Sequence, residues 1–576
     1  MPLLTPLPMR LPIRLIALIV FLSLAASLSA QDPALVGRFG PLIKAELVPI
    51  HTILLPNGKI LYVDRHDQGT HDMTPRVWDP ATNTTIKTPT PTYDLFCSGH
   101  SMLRNGNIFF SGGHIVDGQG VDNLSIYEWR TNTWDTKLPR MFTPRWYPTN
   151  TPLPNGDVLI SSGSAFELEK YVDRTEIFDS RTRTLRSLDG AVQIQSYYPF
   201  MYVLPGNKVF AAGSDSITRI LDVTGNGKWA TVGMTKAGRY RAYGSSVQYE
   251  RGKIMVCGGN KQSPLASAEM IDMNVSGPSW KYTDSMHFSR RHHTAVILPD
   301  GKVFVNGGTS APGFNNADGA VKDAEIWDPL TGHWTLMARA ASIRLYHSIA
   351  LLLPDGRVLT GGGGHPGDDA NFEDAHPDFE IYEPPYLFQG TRPVITSAPD
   401  SIYYGKPFTV GSVNGGNLKV SLFRLGCATH AWDHNTDFNR LAVTRLSAAS
   451  LQVDAPADSV ASAPGPHMLF LVDSAGIPST AKIVWLNSPS GGAGVSGPVP
   501  ARGLKLSVAG SRLRTFGLDI SGGAVCRLQD GRGRTVAIPA NAGRGEFLIP
   551  SDLPPGAYTA TLRSGNLTVT SAIALP

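Results

Sequence analysis

A tight turn followed by a short β-branched strand ending in glycine recurs along this 576-residue chain, and no other feature restricts its possible folds so strongly. The turns are Pro56-Asn57-Gly58, Arg104-Asn105-Gly106, Pro154-Asn155-Gly156, Pro205-Gly206-Asn207, Glu250-Arg251-Gly252, Pro299-Asp300-Gly301 and Pro354-Asp355-Gly356. Turn residues set between apolar runs read as β-hairpins. Their spacings of 48, 50, 51, 45, 49 and 55 residues are close to the roughly 50-residue period of a kelch propeller blade. A hairpin unit cannot bury its apolar face alone, so the units must stack around a common axis. The expectation is an all-β chain built on a seven-bladed kelch-type β-propeller.

Seven residues ahead of each turn stand Pro49, Cys97, Tyr147, Tyr198, Tyr243, His292 and His347. Radial repetition gathers such equivalent positions around the axis. A ring holding one thiol, three phenols and two imidazoles is either an aromatic plug for the channel or a site of chemistry, and the repeat leaves both open. The stretch Arg344-Leu345-Tyr346-His347-Ser348 places a second phenol beside the last imidazole and reads as half of a metal site.

Arg10 and Arg14, the apolar run Leu15 to Leu22 and the small residues up to Ala30 have the three regions of a secretory signal. Residues 1–30 are expected to be cleaved; Leu28 at the −3 position makes a retained anchor the alternative. No other stretch reaches the roughly 18 uninterrupted apolar residues of a membrane helix, so a secreted, extracellular or periplasmic protein with no membrane span is expected. The formal charge of +4 falls to +2 when Arg10 and Arg14 leave 49 basic residues against 47 acidic ones, which argues against a nucleic-acid partner. Cys97, Cys257, Cys427 and Cys526 are too few and scattered for a disulfide framework or a zinc ribbon. Cys257, in the strand from Lys253, reads as a small buried hydrophobe.

Each repeat continues into a second signature, as in Ala324-Glu325-Ile326-Trp327-Asp328-Pro329 with Trp334, Thr175-Glu176-Ile177-Phe178-Asp179 and Phe379-Glu380-Ile381-Tyr382-Glu383, read as third and fourth strands. Glycine pairs such as Gly112-Gly113 and Gly307-Gly308 suit close backbone approach within a blade. The period stops after Pro384-Pro385-Tyr386-Leu387. The expected division is therefore a propeller over residues 31–390, beginning with a short lead-in to about residue 45, and an immunoglobulin-like β-sandwich over 391–487. A Ser/Gly/Pro linker over 488–500 and a small all-β module over 501–576, of no assigned role, complete it.

Four fragments then combine: Phe96-Cys97-Ser98-Gly99-His100, Arg145-Trp146-Tyr147-Pro148-Thr149, Arg344-Leu345-Tyr346-His347-Ser348 and Gly426-Cys427-Ala428-Thr429-His430-Ala431. Together they resemble the galactose oxidase and glyoxal oxidase family of copper radical oxidases, over about residues 45–487. The resemblance implies that the sandwich is a galactose-oxidase-type early-set domain. It implies one copper ion held by Tyr147, Tyr346, His347 and His430, and a Cys97–Tyr147 thioether carrying a tyrosyl radical. Tyr346 would be the axial phenol and general base. Imidazole and phenolate donors suit Cu(II) independently of the resemblance. His434, four residues on, is a rival ligand; the Thr429-His430 match favours His430, expected on a sandwich loop that reaches the propeller axis.

Galactose oxidase has a tryptophan soon after its cross-linked tyrosine, whereas residues 150–170 here contain none, so the group stacking on the thioether is unassigned. Tyr198, Tyr243 and His292 either shape the pocket or fill the core. The resemblance further implies two-electron oxidation with dioxygen reduced to hydrogen peroxide. The motif wording is nearer to glyoxal oxidases, and only about 15 residues separate Ala30 from the first repeat, where galactose oxidase carries a sugar-binding module. Small aldehydes or simple primary alcohols are therefore the expected substrates, with galactose or another carbohydrate alcohol as the alternative. A non-catalytic propeller acting as a binding scaffold is the alternative of a different class, against which the intact ligand set argues.

Overall fold

The computed structural model describes residues 32–65, 74–260, 262–364, 375–413, 417–435 and 437–488, and beyond these only the backbone of strands between residues 505 and 575. The expected signal segment lies outside the described residues. Among them a four-residue helix at Pro33–Val36 and short 3-10 turns at Ala317–Gly319 and Pro385–Phe388 are the only helical elements. None of these is long or apolar enough to cross a membrane. The chain divides into two compact units, Met1–Pro489 and Ser490–Pro576.

In the first unit, seven successive sheets among the described residues carry the repeat. Each turn of the sequence joins the first two strands of its sheet, as Arg104-Asn105-Gly106 joins Gly99–Met102 to Ile108–Ser111. The strands then run as an antiparallel meander. Burial falls outward: Gly99–Met102 and Ile108–Ser111 are buried throughout, whereas Thr133–Asp135, fourth in the same sheet, has no buried residue. This is why the inner strands read as continuous apolar runs and the outer ones as polar. The first strands Gly99–Met102, Thr149–Pro152 and Phe200–Leu204 pack side by side, as do Ser245–Glu250, Arg291–Ile297 and Ile349–Leu352, and the last of these meets His51–Leu54 of the first sheet. The inner edges of the sheets therefore face one axis, in the manner of a propeller.

Two long-range pairings were not legible in the repeat. Residues expected to form a lead-in instead complete the last sheet, where Arg38–Phe39 and Ile43–Lys44 pair antiparallel with Asp378–Glu383. Two-residue strands are too short to display a period-2 pattern. The second pairing brings Cys427–Thr429 from far downstream onto the inner edge of the first sheet, opposite His51, Thr52 and Ile53, with Trp432–Asp433 folding back on it. His430 therefore sits at the tip of a β-hairpin and not on an irregular loop.

The glycine pairs make close contacts both within a sheet, as expected, and between neighbouring sheets: a Cβ on Gly308 would lie 2.6 Å from the Arg291 carbonyl oxygen of its own sheet. A Cβ on Gly112 (φ +72°) would lie 2.2 Å from the Arg145 carbonyl oxygen, and one on Gly307 (φ +74°) 2.5 Å from that of Arg344. Both arginines open the next repeat, so the adjoining chain needs the space a side chain would occupy.

After the propeller-type sheets comes a sandwich. One sheet contains Val394–Ser397, Pro407–Val413, Ser450–Asp454 and Val443–Ser447; the other contains Ser401–Tyr403, Lys482–Asn487, Gly465–Val472, Lys419–Arg424 and Phe438–Leu441. Val410, Leu422, Leu451, Val453, Leu469 and Val484 form the layer between them, each worth about 1.5–3 kcal/mol when fully buried. In the second unit, Lys505–Ala509, Arg512–Phe516 and Glu546–Leu548 form one antiparallel sheet and Thr535–Pro539, Val525–Asp530, Gly556–Ser564 and Leu567–Leu575 another.

Candidate metal centre

Each residue of the equivalent position stands at the entry of its inner strand. Consecutive ones are joined through the backbone: the Tyr147 N–H donates to the Cys97 carbonyl (2.8 Å), Tyr198 to Tyr147 (3.2 Å) and His292 to Tyr243 (2.8 Å). Cys97, Tyr147, Tyr198, Tyr243, His292 and His347 all take positive φ, between 44° and 71°. Only this left-handed turn aims their side chains inward while the chain enters the strand.

The turn is held from behind by buried ion pairs. Two residues ahead of Tyr147, the Arg145 guanidinium meets Glu176 at 2.7 Å and donates to the Ser162 carbonyl at 2.6 Å. Two ahead of His292, Arg290 meets Glu325 at 2.8 Å and the Gly307 carbonyl at 2.7 Å. Arg241, ahead of Tyr243, pairs with Glu269, and Arg344, ahead of Tyr346, with Asp378 at 2.6 Å. The glutamates come from the third-strand signature of each repeat.

At the axis the expected site residues converge. One ligand atom each from Cys97, His347 and His430 lies within 4.8 Å of the others, and all three residues are buried. The Cys97 sulfur is 3.9 Å from His430 Nε2. The hydroxyls of Tyr147 and Tyr346 share a hydrogen bond, and the His430 ring stands 4.5 Å from both the Tyr147 and the His347 ring centroids. Two contacts orient the imidazoles: His347 Nδ1 donates to the Gly364 carbonyl at 3.1 Å, and His430 Nδ1 bonds the Thr429 hydroxyl at 2.6 Å. Fixing Nδ1 in this way presents Nε2 of both rings as the donor atom. His434 is outside this ligand group.

Burial pushes the phenols of Tyr147 and Tyr346 well above their ordinary range, with Cys97 and Tyr346 adding to the effect at Tyr147 and Tyr243 and Cys97 at Tyr346. It likewise raises the Cys97 thiol, against its hydrogen bond to Tyr147. His430 is held well below its ordinary value by burial and then by His347. Two neutral imidazoles and protonated phenols that can surrender protons to a cation form a donor set suited to copper. A structural zinc site would call instead for four thiolate or imidazole donors.

Two rings missed by sequence reasoning stack on Tyr147. Trp146 lies 3.8 Å away at 14°, its Nε1 donating to His114, and Tyr198 lies 4.7 Å away at 23°. Tyr198 shares the equivalent position one repeat on, and that was the available signal. Tyr243 and His292 instead border Tyr346, at 5.6 and 5.2 Å between ring centroids, with Phe314 at 4.7 Å. Beside the centre is a cavity of about 20 Å³ lined by residues that include Tyr197, Tyr240, Tyr243 and His430.

The chain is similar to known proteins over both the propeller-type sheets and the sandwich. Residues 52–386 match the family model described as glyoxal oxidase N-terminus, and residues 392–486 the galactose oxidase-like early set domain. A galactose oxidase of Gibberella zeae is 31% identical over 503 residues, covering 80% of this chain and 72% of that protein. The aldehyde oxidase GLOX of Vitis pseudoreticulata is 28% identical over 440 residues, covering 68% of this chain and 82% of its own. Among solved structures, a fungal alcohol oxidase of the AA5 family in complex with copper superposes with a TM-score of 0.72 at 25% identity, over 78% of this chain and 99% of that one.

Proposed function

The chain belongs to the glyoxal oxidase and galactose oxidase family of oxidoreductases, and on that premise we propose that it oxidises small aldehydes or simple primary alcohols at a copper centre held by Tyr147, Tyr346, His347 and His430, reducing dioxygen to hydrogen peroxide. The observation that carries this reading is the convergence of two imidazoles, two phenols and one thiol from separate repeats and from the downstream hairpin.

Removing a hydride equivalent from carbon takes two electrons. Bound copper supplies a one-electron couple and a coordination position for the substrate oxygen. Tyr147, if joined to Cys97 through a thioether, would hold the second oxidising equivalent on its ring, which the sulfur would make easier to oxidise. The Tyr346 oxygen accepts the substrate hydroxyl proton as general base. Burial of these groups excludes bulk water from the reacting atoms. An alcohol thereby gives up two electrons and two protons to become an aldehyde, or an aldehyde hydrate to become an acid, and dioxygen takes up both to leave as hydrogen peroxide.

The match of the propeller region to the glyoxal oxidase model supports small substrates. The galactose reading draws on the 31% identity to a galactose oxidase. Secretion after loss of residues 1–30, a propeller over 31–390, an early-set domain over 391–487, a linker over 488–500 and a separate module over 501–576 belong to the same proposal. The test is kcat/KM for glyoxal or methylglyoxal against galactose in a peroxide-coupled assay, the ratio that measures specificity. We expect the aldehydes to be favoured; a galactose value above both would move the assignment to the carbohydrate alcohol. No peroxide from any of the panel by copper-loaded protein would favour the binding scaffold.

A further inference from the structure

Three imidazoles outside the ligand set are buried beside the centre. His51 and His100 are 0% exposed and His434 5%; the first two lie on the inner strands of the first and second sheets, and His434 follows the downstream hairpin. Their rings stand edge-on or tilted, 5.1 Å apart for His51 and His100 and 5.3 Å for His100 and His434. His51 Nε2 accepts the Cys97 backbone N–H at 3.0 Å. Beyond an interaction of the His100 and His434 rings with the His100 backbone, the remaining ring nitrogens of the three have no hydrogen-bond partner. Native folds rarely leave buried polar atoms unsatisfied without a reason. Burial also keeps all three rings neutral, the form in which an imidazole offers a lone pair to a metal.

The cluster is connected at both ends. On one side His434 lines a cavity of about 50 Å³ together with Met201, Gln248, Asp437, Arg251 and Arg424, so that two arginines face one carboxylate on its wall. On the other, the His51 ring is 5.9 Å from that of His430 and its Nε2 is bonded to Cys97. Imidazoles therefore run in steps of 5–6 Å from the cavity to the metal centre.

We propose that His100 and His434 form a second copper site, holding Cu(I) between two imidazole nitrogens, on a loading route from this cavity to the Cys97–His347–His430 centre. Two neutral nitrogen donors suit a monovalent d¹⁰ ion, whereas Cu(II) and Zn(II) require more ligands than the pair provides. The donors along the route, from the Met201 thioether through imidazoles to the Cys97 thiol, are those that accept Cu(I). The inference rests on copper being the resident metal.

Full-length metal-free protein, titrated anaerobically with Cu(I) in competition with bicinchoninate, reports the number of sites directly. Two Cu(I) per chain are expected, and one in His100→Leu and in His434→Leu. Stopped-flow uptake at the main centre slows roughly 10-fold or more in both, while final copper content at that centre and its Cu(II) EPR spectrum stay native. His434→Met, which keeps a soft donor, retains fast uptake. A single equivalent in the native chain, or native uptake rates in the folded leucine variants, would overturn the proposal. Absence of any bound copper would overturn the reading of the main centre instead. The native stoichiometry needs no variant, so the test survives a leucine variant that does not fold.

Discussion

Left-handed φ at six equivalent residues costs non-glycine side chains on the order of 1–3 kcal/mol each, and such strain persists only where the surroundings overdetermine it. Here the recurring arginines and the inter-repeat backbone bonds do so, which ties the strain to the inward aim of Cys97, Tyr147 and His347. Tyr346 is different: it stacks on His347 with ring centroids 3.7 Å apart and reaches the centre by its length. Replacing Tyr346 with phenylalanine preserves this packing and removes only the oxygen. We therefore expect Tyr346→Phe to fold and bind copper while turnover falls about 10²- to 10⁴-fold, the usual worth of a general base. Steady-state peroxide release with metal analysis checks this, and near-native turnover would take Tyr346 out of the mechanism. The identities of these residues were legible because the repeat placed them at one position and four short motifs framed them. The stacking partners were not, since ring contact between Tyr147 and Tyr198 spans one repeat and depends on how adjacent sheets meet.

The recurring element is an inner strand, its turn and a third strand whose glutamate returns to the arginine that opens the same repeat. Arg145 and Glu176 are both fully buried, and Glu176 also accepts the Phe142 N–H at 3.0 Å. Removing one partner of a buried pair leaves an uncompensated charge, which costs about 3–5 kcal/mol. Glu176→Gln should lower unfolding stability by several kcal/mol in urea titration; a midpoint near native would mean that Arg145 finds another acceptor. The arginine and the glutamate were each visible in the sequence as parts of separate signatures. Their pairing was not, because 31 residues separate Arg145 from Glu176 and neither signature specifies the other as its partner. The same limit hid the hairpin Cys427–Asp433, whose inner strand reads as an ordinary sandwich segment until it pairs with His51–Ile53.

At the scale of the molecule, residues 38–44 complete the last propeller-type sheet and the sandwich inserts its hairpin into the first, so the centre forms only when segments some 330 residues apart, Cys97 and His430, have met. Turn spacing made the sheets readable in advance; closure and insertion depend on non-local pairing and were not. The same packing makes the fold sensitive to acid. His293 is held at a pKa of about 3 by burial and then by Arg290 and Arg241, and His467 at about 3 by burial and then by Arg424, against 6.5 for the free side chain. Between those values the unfolded chain binds more protons than the folded one, so this stability is complete above pH 6.5 and is lost as pH falls toward 3. Thermal melting temperature should therefore decline steadily from pH 7 to pH 4, with each group contributing up to about 1.4 kcal/mol per pH unit, and a flat profile would show that these rings are hydrated in the native state. If residues of consecutive repeats make one redox centre, Cys97 and Tyr147 become covalently linked. Peptide mapping by mass spectrometry, before and after metal-free protein meets copper and oxygen, should find the Cys97 and Tyr147 peptides joined with the loss of about two hydrogens, an oxidation at cysteine sulfur that is absent in Cys97→Ser; separate, unmodified peptides from fully active enzyme would contradict it.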